Sequence, residues 1–161
     1  MSILAIDPGP TFSGVCIIDE VSYKPIKFGK YDNEKIFDEL SEYLPVSHVV
    51  IEMIGHYGTG MPAGKDVFDT CVWIGRFIEQ FVCCCDTVET LPRQTVKMHL
   101  CQSTRAKDAN ILQALVDRFA PGQKNHGKGT KKNPGWFYGF SADVWAAYAL
   151  GITYIDMRGY E

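Results

Sequence analysis

Alternating runs of apolar and polar residues divide the chain into five predicted strands. They cover residues 3–6, 14–18, 25–31, 47–54 and 84–91. β-branched and other apolar residues dominate these runs, and turn residues such as Pro8-Gly9-Pro10 bound them. The first three follow one another with only short connections, which predicts an antiparallel meander.

Apolar residues at helical spacing predict helices between and after these strands. The first begins at Asn33 as a cap and ends before Pro45, and the last has Ser141 at a favourable N-cap position. The others cover residues 66–81, 94–100 and 107–119. A glycine-rich loop is predicted over residues 55–64, and residues 121–135 lack periodicity, which predicts a mobile loop.

This order of elements predicts an α/β fold with a mixed five-stranded sheet flanked by helices. Three strands would be antiparallel, and two more would run parallel to the first through right-handed crossovers. The first and fourth strands would then be neighbours. At 161 residues the chain is expected to form one domain, spanning residues 1–161, with a core of its own.

Three acidic residues stand at the ends of predicted buried elements. Asp7 ends the first strand, Glu52 lies at the end of the fourth, and Asp143 opens the last helix. Unpaired charges in such places are costly, and Mg²⁺ or Mn²⁺ bound by carboxylate oxygens would offset that cost. Two such cations about 4 Å apart could hydrolyse a phosphodiester. Each acid could instead be a helix cap or an ion-pair partner.

Positive charge is concentrated in residues 93–132, although the whole chain has a net charge of −3. This stretch contains nine lysines or arginines against two acidic residues. Interleaved glycines and aromatic residues make it suitable for DNA phosphates and bases, although a charge run can also be a solvated surface. Its candidate DNA-binding residues include Lys124, Lys128, Lys131 and Lys132.

The remaining composition predicts a soluble, cytoplasmic protein. No apolar run reaches the length of a membrane span, and the N-terminus lacks a leader-like pattern. The six cysteines show no zinc-ligand spacing, so they are expected to be reduced, small buried residues.

Several short motifs, taken in order, give the chain a family resemblance. They are Ala5-Ile6-Asp7-Pro8-Gly9 with Ser13-Gly14-Val15, Val49-Val50-Ile51-Glu52, Leu91-Pro92 leading to Val96-Lys97, Ala106-Lys107, and Ser141-Ala142-Asp143. With these motifs the chain resembles the RuvC-like Holliday junction resolvases of the ribonuclease H-like superfamily, and it is most similar to their phage-encoded branch.

The resemblance implies Mg²⁺-dependent cleavage of branched DNA by a homodimer, with one active site per strand. Mn²⁺ is expected to substitute for Mg²⁺, and a phage-encoded enzyme would act in the host cytoplasm. Asp7, Glu52 and Asp143 would be the catalytic metal carboxylates. Lys107 and Lys97 match family positions near the scissile phosphate.

Two aromatic residues in the glycine-rich loop are candidate readers of the junction. His56 and Tyr57 follow Glu52 closely, and an exposed ring can stack on an unpaired base where strands exchange. Packing within the loop is the alternative.

One departure from the family concerns the last helix. The family usually has two acids one turn apart, whereas Asp143 has Phe140 on one side and Ala146 on the other. A fourth ligand would be absent, or supplied by water or by Asp108. Asp108 could instead favour the start of its own helix.

Two other functions compete with nuclease activity. A non-catalytic branched-DNA-binding module could keep the fold with an incomplete metal site. An actin-like or sugar-kinase-type phosphotransferase pairs an aspartate with glycine and hydroxyl residues, as here, but it needs two such domains around its nucleotide.

Overall fold

The computed structural model describes residues 1–55 and 63–159 and contains one five-stranded sheet. Its strands are β1 (Ser2–Asp7), β2 (Phe12–Asp19), β3 (Pro25–Asp32), β4 (His48–Met53) and β5 (Thr87–Pro92). They lie in the order β3-β2-β1-β4-β5. β1, β2 and β3 are antiparallel neighbours, whereas β4 pairs parallel with both β1 and β5. The predicted mixed sheet is confirmed.

Five α-helices in the described residues flank this sheet. They are α1 (Ile36–Leu40), α2 (Lys65–Phe81), α3 (Arg93–Cys101), α4 (Asp108–Phe119) and α5 (Ala142–Arg158). Alternate residues of each strand point to opposite faces, so the sheet separates two cores. One core packs β-strand residues against α3, α4 and α5, and the other packs them against α1 and α2.

α5 lies close to the sheet because its inner side carries small residues. A Cβ on Gly151 would press on the side chain of Ile18 and come within 3.1 Å of the Cβ of Ala5. Helix α5 is therefore held close against β1 and β2, and its first turn lies at the end of the sheet where β1 finishes.

Two predicted elements begin or end differently in the structure. The first helix is only Ile36–Leu40, with a 3-10 turn on each side, and the side chain of Asp32 caps the first turn, not that of Asn33. Asn33 is buried and bonds elsewhere. The fifth strand starts at Thr87, because Val82–Cys84 forms a 3-10 turn after α2.

The six cysteines are free, but only Cys16 has the predicted burial, and Cys84, Cys85 and Cys101 are half-buried. Cys16 is buried, whereas Cys71 and Cys83 are exposed. Cys71 lies on an outward-facing side of α2, where a small residue needs no burial.

The basic loop before α5, residues 121–135, contains tight turns and one isolated bridge. Glycines 122, 127 and 129 adopt positive φ, and Gly129 forms a bridge with Pro134. Phe137 is fully buried and anchors the end of the loop in the core. In the described part of the chain, no helix is both long enough and apolar enough to cross a membrane.

Candidate active site

Asp7 and Glu52 lie next to each other at the carboxyl ends of neighbouring strands. The parallel register pairs Ile6 with Ile51, so the following residues, Asp7 and Glu52, are adjacent. Residues in register share a face of the sheet. Asp7 also pairs with Gly14 on β2. The first two predicted carboxylates are thus together, on the face that α5 covers.

Asp143 approaches the same place because Gly14 has no side chain. A Cβ on Gly14 would lie 2.7 Å from the carbonyl carbon of Asp143 and 2.8 Å from its Cβ. The first turn of α5 therefore rests directly on β2, beside Asp7. All three predicted carboxylates lie at the same end of the sheet, where β1 and β4 finish.

Cationic side chains hold two of these carboxylates, in two different ways. Lys30 places its Nζ 2.9 Å from Oδ2 of Asp143, and both side chains are well exposed. Arg93 donates from Nη1 to Oε2 of Glu52 at 3.2 Å, and these side chains are only 18% and 15% exposed. The other end of the guanidinium bonds to Asp108.

The two pairs differ in what it costs to break them. Exposed ion pairs such as Lys30–Asp143 contribute about 0–1 kcal/mol, since water and salt screen them. Removing one partner of a buried pair costs about 3–5 kcal/mol, because a charge is left without compensation. Lys30 can therefore leave its carboxylate easily, whereas Arg93 cannot.

Asp7 has the most perturbed carboxyl group of the site. Burial, followed by the negative charge of Glu52, raises its pKa to about 7, against the opposing effect of Arg93. Burial also raises the pKa of Glu52, again opposed by Arg93. Asp7 forms no salt bridge with any described residue. Asp7 is thus a poorly solvated carboxyl group with other acidic groups close by, as is common at functional sites.

The side chains of this site do not form a complete set of metal ligands in the conformation observed. Within residues 1–55 and 63–159, no three histidine, cysteine, aspartate or glutamate side chains are grouped so as to hold a metal ion. The side chains of Glu52 and Asp143 are directed to Arg93 and Lys30 instead. A cation would have to compete with these two residues.

A buried polar network braces the turn that follows Asp7. The hydroxyl of Ser13 donates to Oδ1 of Asn33 at 2.6 Å and accepts from the backbone N–H of Gly9. Asn33 in turn donates to the carbonyl oxygen of Gly9 at 2.9 Å. Both side chains are almost fully buried, so this network holds the end of β1 in place.

The predicted basic residues lie at several distances from the carboxylates. Lys97, on α3, is near enough to Glu52 to lower the pKa of that carboxyl group. Lys107 is exposed at the N-cap of α4, where its backbone N–H bonds to Asn110. The loop lysines 124, 131 and 132 are exposed and Lys128 is half-buried. His56 and Tyr57 lie outside the described residues.

Of the two positions suggested for a second acid in the last helix, Phe140 lies in the core and Ala146 lies in a pocket beside Arg93. Phe140 is buried in an aromatic cluster with Phe137 and Trp145. Ala146 instead lines a pocket of about 170 Å³ together with Arg93 and Asp108. Asp108 lies in the first turn of α4, as the helix-start interpretation expects, and it also contacts the site through Arg93.

Sequence reasoning missed three residues that the structure places at this site. Arg93 was counted only as part of a basic stretch, although it directly follows the last strand of the parallel pair. Lys30 became visible only through the register that pairs it with Gly14. Asn33 was interpreted as a helix cap, because its partners Gly9 and Ser13 are distant in sequence.

Comparisons with protein-family models and with curated proteins find no match to this chain. Solved structures do match. The RuvC structure of Thermus thermophilus has a TM-score of 0.64 at 14% identity, covering 99% of this chain and 97% of that one. T. thermophilus RuvC in complex with a Holliday junction substrate has a TM-score of 0.67 at 12% identity, with coverage of 99% and 96%. The chain therefore has a RuvC-like fold.

Proposed function

We propose that this chain is a single-domain, divalent-cation-dependent endonuclease that cleaves branched DNA such as Holliday junctions. The proposal is based on the proximity of Asp7, Glu52 and Asp143 at one end of the sheet. It is supported by the RuvC-like fold and by the RuvC neighbour that was solved with a Holliday junction substrate. The phage-type motifs of the sequence support the same proposal.

The residues present fit a divalent cation best at Asp7 and Asp143. Their donors are carboxylate oxygens, which Mg²⁺ and Mn²⁺ prefer. Asp7 is a buried carboxylate without a cationic partner among the described residues, and the partner of Asp143 is an exposed lysine. Bound there, a divalent cation would supply an acidic water and neutralise charge on a phosphate.

The chain's own basic residues would hold the DNA backbone. Lys97 lies on α3, which Arg93 begins, and Lys107 is the N-cap of α4; both could contact phosphates near the cut. The loop lysines would add contacts that position the strand without reading bases. His56 and Tyr57 remain proposed readers of the branch.

The proposed homodimer would use the outward side of α2. Phe68 and Val72 are 62% and 61% exposed, and Ile78 and Val82 continue this stripe. Gly75 lies between them with open space at its Cβ position. Such a stripe, repeating every three or four residues, suits the same helix of a second copy. Sedimentation equilibrium should show a dimer, and Val72→Glu should yield monomers with the wild-type circular dichroism spectrum.

The test of the proposal is incubation of the protein with four-way, Y-shaped and linear DNA, with products mapped to the nucleotide. Mg²⁺ and Mn²⁺ should each support cleavage of branched DNA, and EDTA should prevent it. Asp7→Asn should be inactive, whereas Asp38→Asn, an exposed carboxylate on α1, should match the wild type. Equal cleavage of linear DNA, or activity in Asp7→Asn, would contradict the proposal.

A second function has a specific observation in its favour. Glu52 and Asp143 are already paired with Arg93 and Lys30, as they would be in a protein that binds branched DNA without cutting it. Tight junction binding with no products in either cation would favour this module. A thermal shift with ATP but not with branched DNA would instead favour a phosphotransferase.

A further inference from the structure

The position of Arg93 bears on how many cations the site can take. Its guanidinium lies between the carboxylates of Glu52 and Asp108, bonded to both, and both Arg93 and Glu52 are largely buried. A planar guanidinium with several fixed donors is well suited to bridge two carboxylates. Two-metal hydrolysis would require a second cation at Glu52, where this guanidinium already lies.

The last helix lacks a second acidic residue, and the position where one would stand lies in the same part of the site as Arg93. Ala146, one helical turn after Asp143, lines one pocket with Arg93 and Asp108. An acidic side chain at this position would enter the pocket that Arg93 also lines. The chain therefore has an alanine where a second cation would need a ligand, and an arginine where it would need space.

We propose that Arg93 permanently takes the place of a second cation, so that the site binds one divalent cation, at Asp7 and Asp143. Arg93 is a positioning residue in this arrangement, because it holds Glu52 beside Asp7 and compensates its charge. The inference rests on the proposed function only in requiring that a divalent cation binds at Asp7.

The contrast between the two cationic side chains supports this assignment. Lys30 is half exposed and has one carboxylate partner, so a cation can displace it from Asp143. Arg93 is largely buried and bonds to both Glu52 and the exposed Asp108, so a cation that took Glu52 would leave a poorly solvated guanidinium without its shielded partner. One cation can therefore enter the site without disturbing the buried pair, and a second cannot.

The experiment is a count of bound Mn²⁺ by isothermal titration calorimetry on the full chain without DNA. We expect one Mn²⁺ per wild-type chain. The double variant Arg93→Ala/Ala146→Asp should bind two, because it frees Glu52 and adds a carboxylate. Arg93→Lys/Ala146→Asp, which keeps a positive charge, should return to one.

Arg118→Ala is the matched control, since Arg118 also bonds to a helix α5 carboxylate, Asp156, away from Asp143. It should bind one Mn²⁺. Two Mn²⁺ per wild-type chain would overturn the inference without contradicting the proposed nuclease activity. This outcome can be measured on the wild-type protein alone. One Mn²⁺ in a folded Arg93→Ala/Ala146→Asp variant would also overturn it, as would none in the wild type. One bound Mn²⁺ without any cleavage would refute the proposed function alone.

Discussion

Gly14 is the residue on which the position of Asp143 depends most directly. In Gly14→Ala, the new Cβ would lie 2.7 Å from the carbonyl carbon of Asp143, whereas ordinary contacts begin at 3.4 Å. Because the carbonyl oxygen of Asp143 would lie closer still, the first turn of α5 must move outward by about 1 Å, or β2 must shift by the same amount. The displaced residue is the one that would share a cation with Asp7.

Two effects of different size are expected from this substitution. Overpacking of a well-packed interface costs about 1–3 kcal/mol of stability, which leaves the protein folded if its stability is typical. Misplacement of a catalytic group by about 1 Å can cost about 100-fold in rate. We expect a single-turnover cleavage rate on a four-way junction reduced by about 10- to 100-fold, with unchanged junction affinity.

Gly151→Ala separates loss of stability from loss of alignment. It overpacks the same helix against the same sheet, but its contacts are Ile18, Ala5 and Ile3, away from Asp143. Urea denaturation should show a smaller loss of stability for Gly151→Ala, because alanine favours the helix interior and Ile18 can move, and only Gly14→Ala should lose most of its rate. A folded Gly14→Ala protein that cleaves at the wild-type rate would refute the reasoning.

Further predictions concern charge at the site and along the basic loop. Because the pKa of Asp7 is about 7 in the folded protein and 3.8 in its ordinary state, the unfolded chain gives up this proton at lower pH. The stability of the cation-free protein should therefore fall as pH rises from about 4 to about 7, and urea denaturation in EDTA should show a flatter profile for Asp7→Asn. An equally steep profile would remove Asp7 as the cause. Glu52→Gln should abolish cleavage but not junction binding, and more than a few per cent of wild-type cleavage would remove Glu52 from the site. With few protein ligands for the cation, Mn²⁺ should support faster cleavage than Mg²⁺ at equal low concentration, and full activity in low Mg²⁺ would count against this. The logarithm of junction affinity should fall linearly with the logarithm of salt concentration. Replacement of four loop lysines together by alanine should make this slope less steep; they are Lys124, Lys128, Lys131 and Lys132. A wild-type slope in that variant would show that the loop only contacts solvent.

The sheet and the proximity of the carboxylates could be predicted because their signals are local in sequence. Buried strands appear as apolar runs, and an acid at the end of such a run is conspicuous. The order of elements then requires the first and fourth strands to be neighbours, which brings Asp7 and Glu52 together. Local patterns failed where partners lie far apart along the chain, as for Asn33, whose bonds to Ser13 and Gly9 join β2 and the turn after β1 to the residue following β3.

Side-chain pairing was beyond the reach of sequence patterns for a different reason. Arg93 could face solvent, DNA or an acid with nearly the same local sequence, and only the packing of α3 against α4, α5 and β5 decides among these. The same holds for Lys30, whose partner lies on the last helix. The sequence gives the sign of each charged residue, but its ion-pair partner is set by the tertiary structure.

The arrangement also explains why an incomplete acid set is physically reasonable in this chain. Adding a fourth inward carboxylate at position 146 would further raise the pKa of Asp7, unless more positive charge compensated it. Arg93 already provides one such charge, within bonding distance of Glu52 and Asp108. The alanine in α5 and the arginine at the start of α3 are thus two parts of one electrostatic balance. A change at either position should therefore alter the effect of the other, so their effects on Mn²⁺ binding should be non-additive.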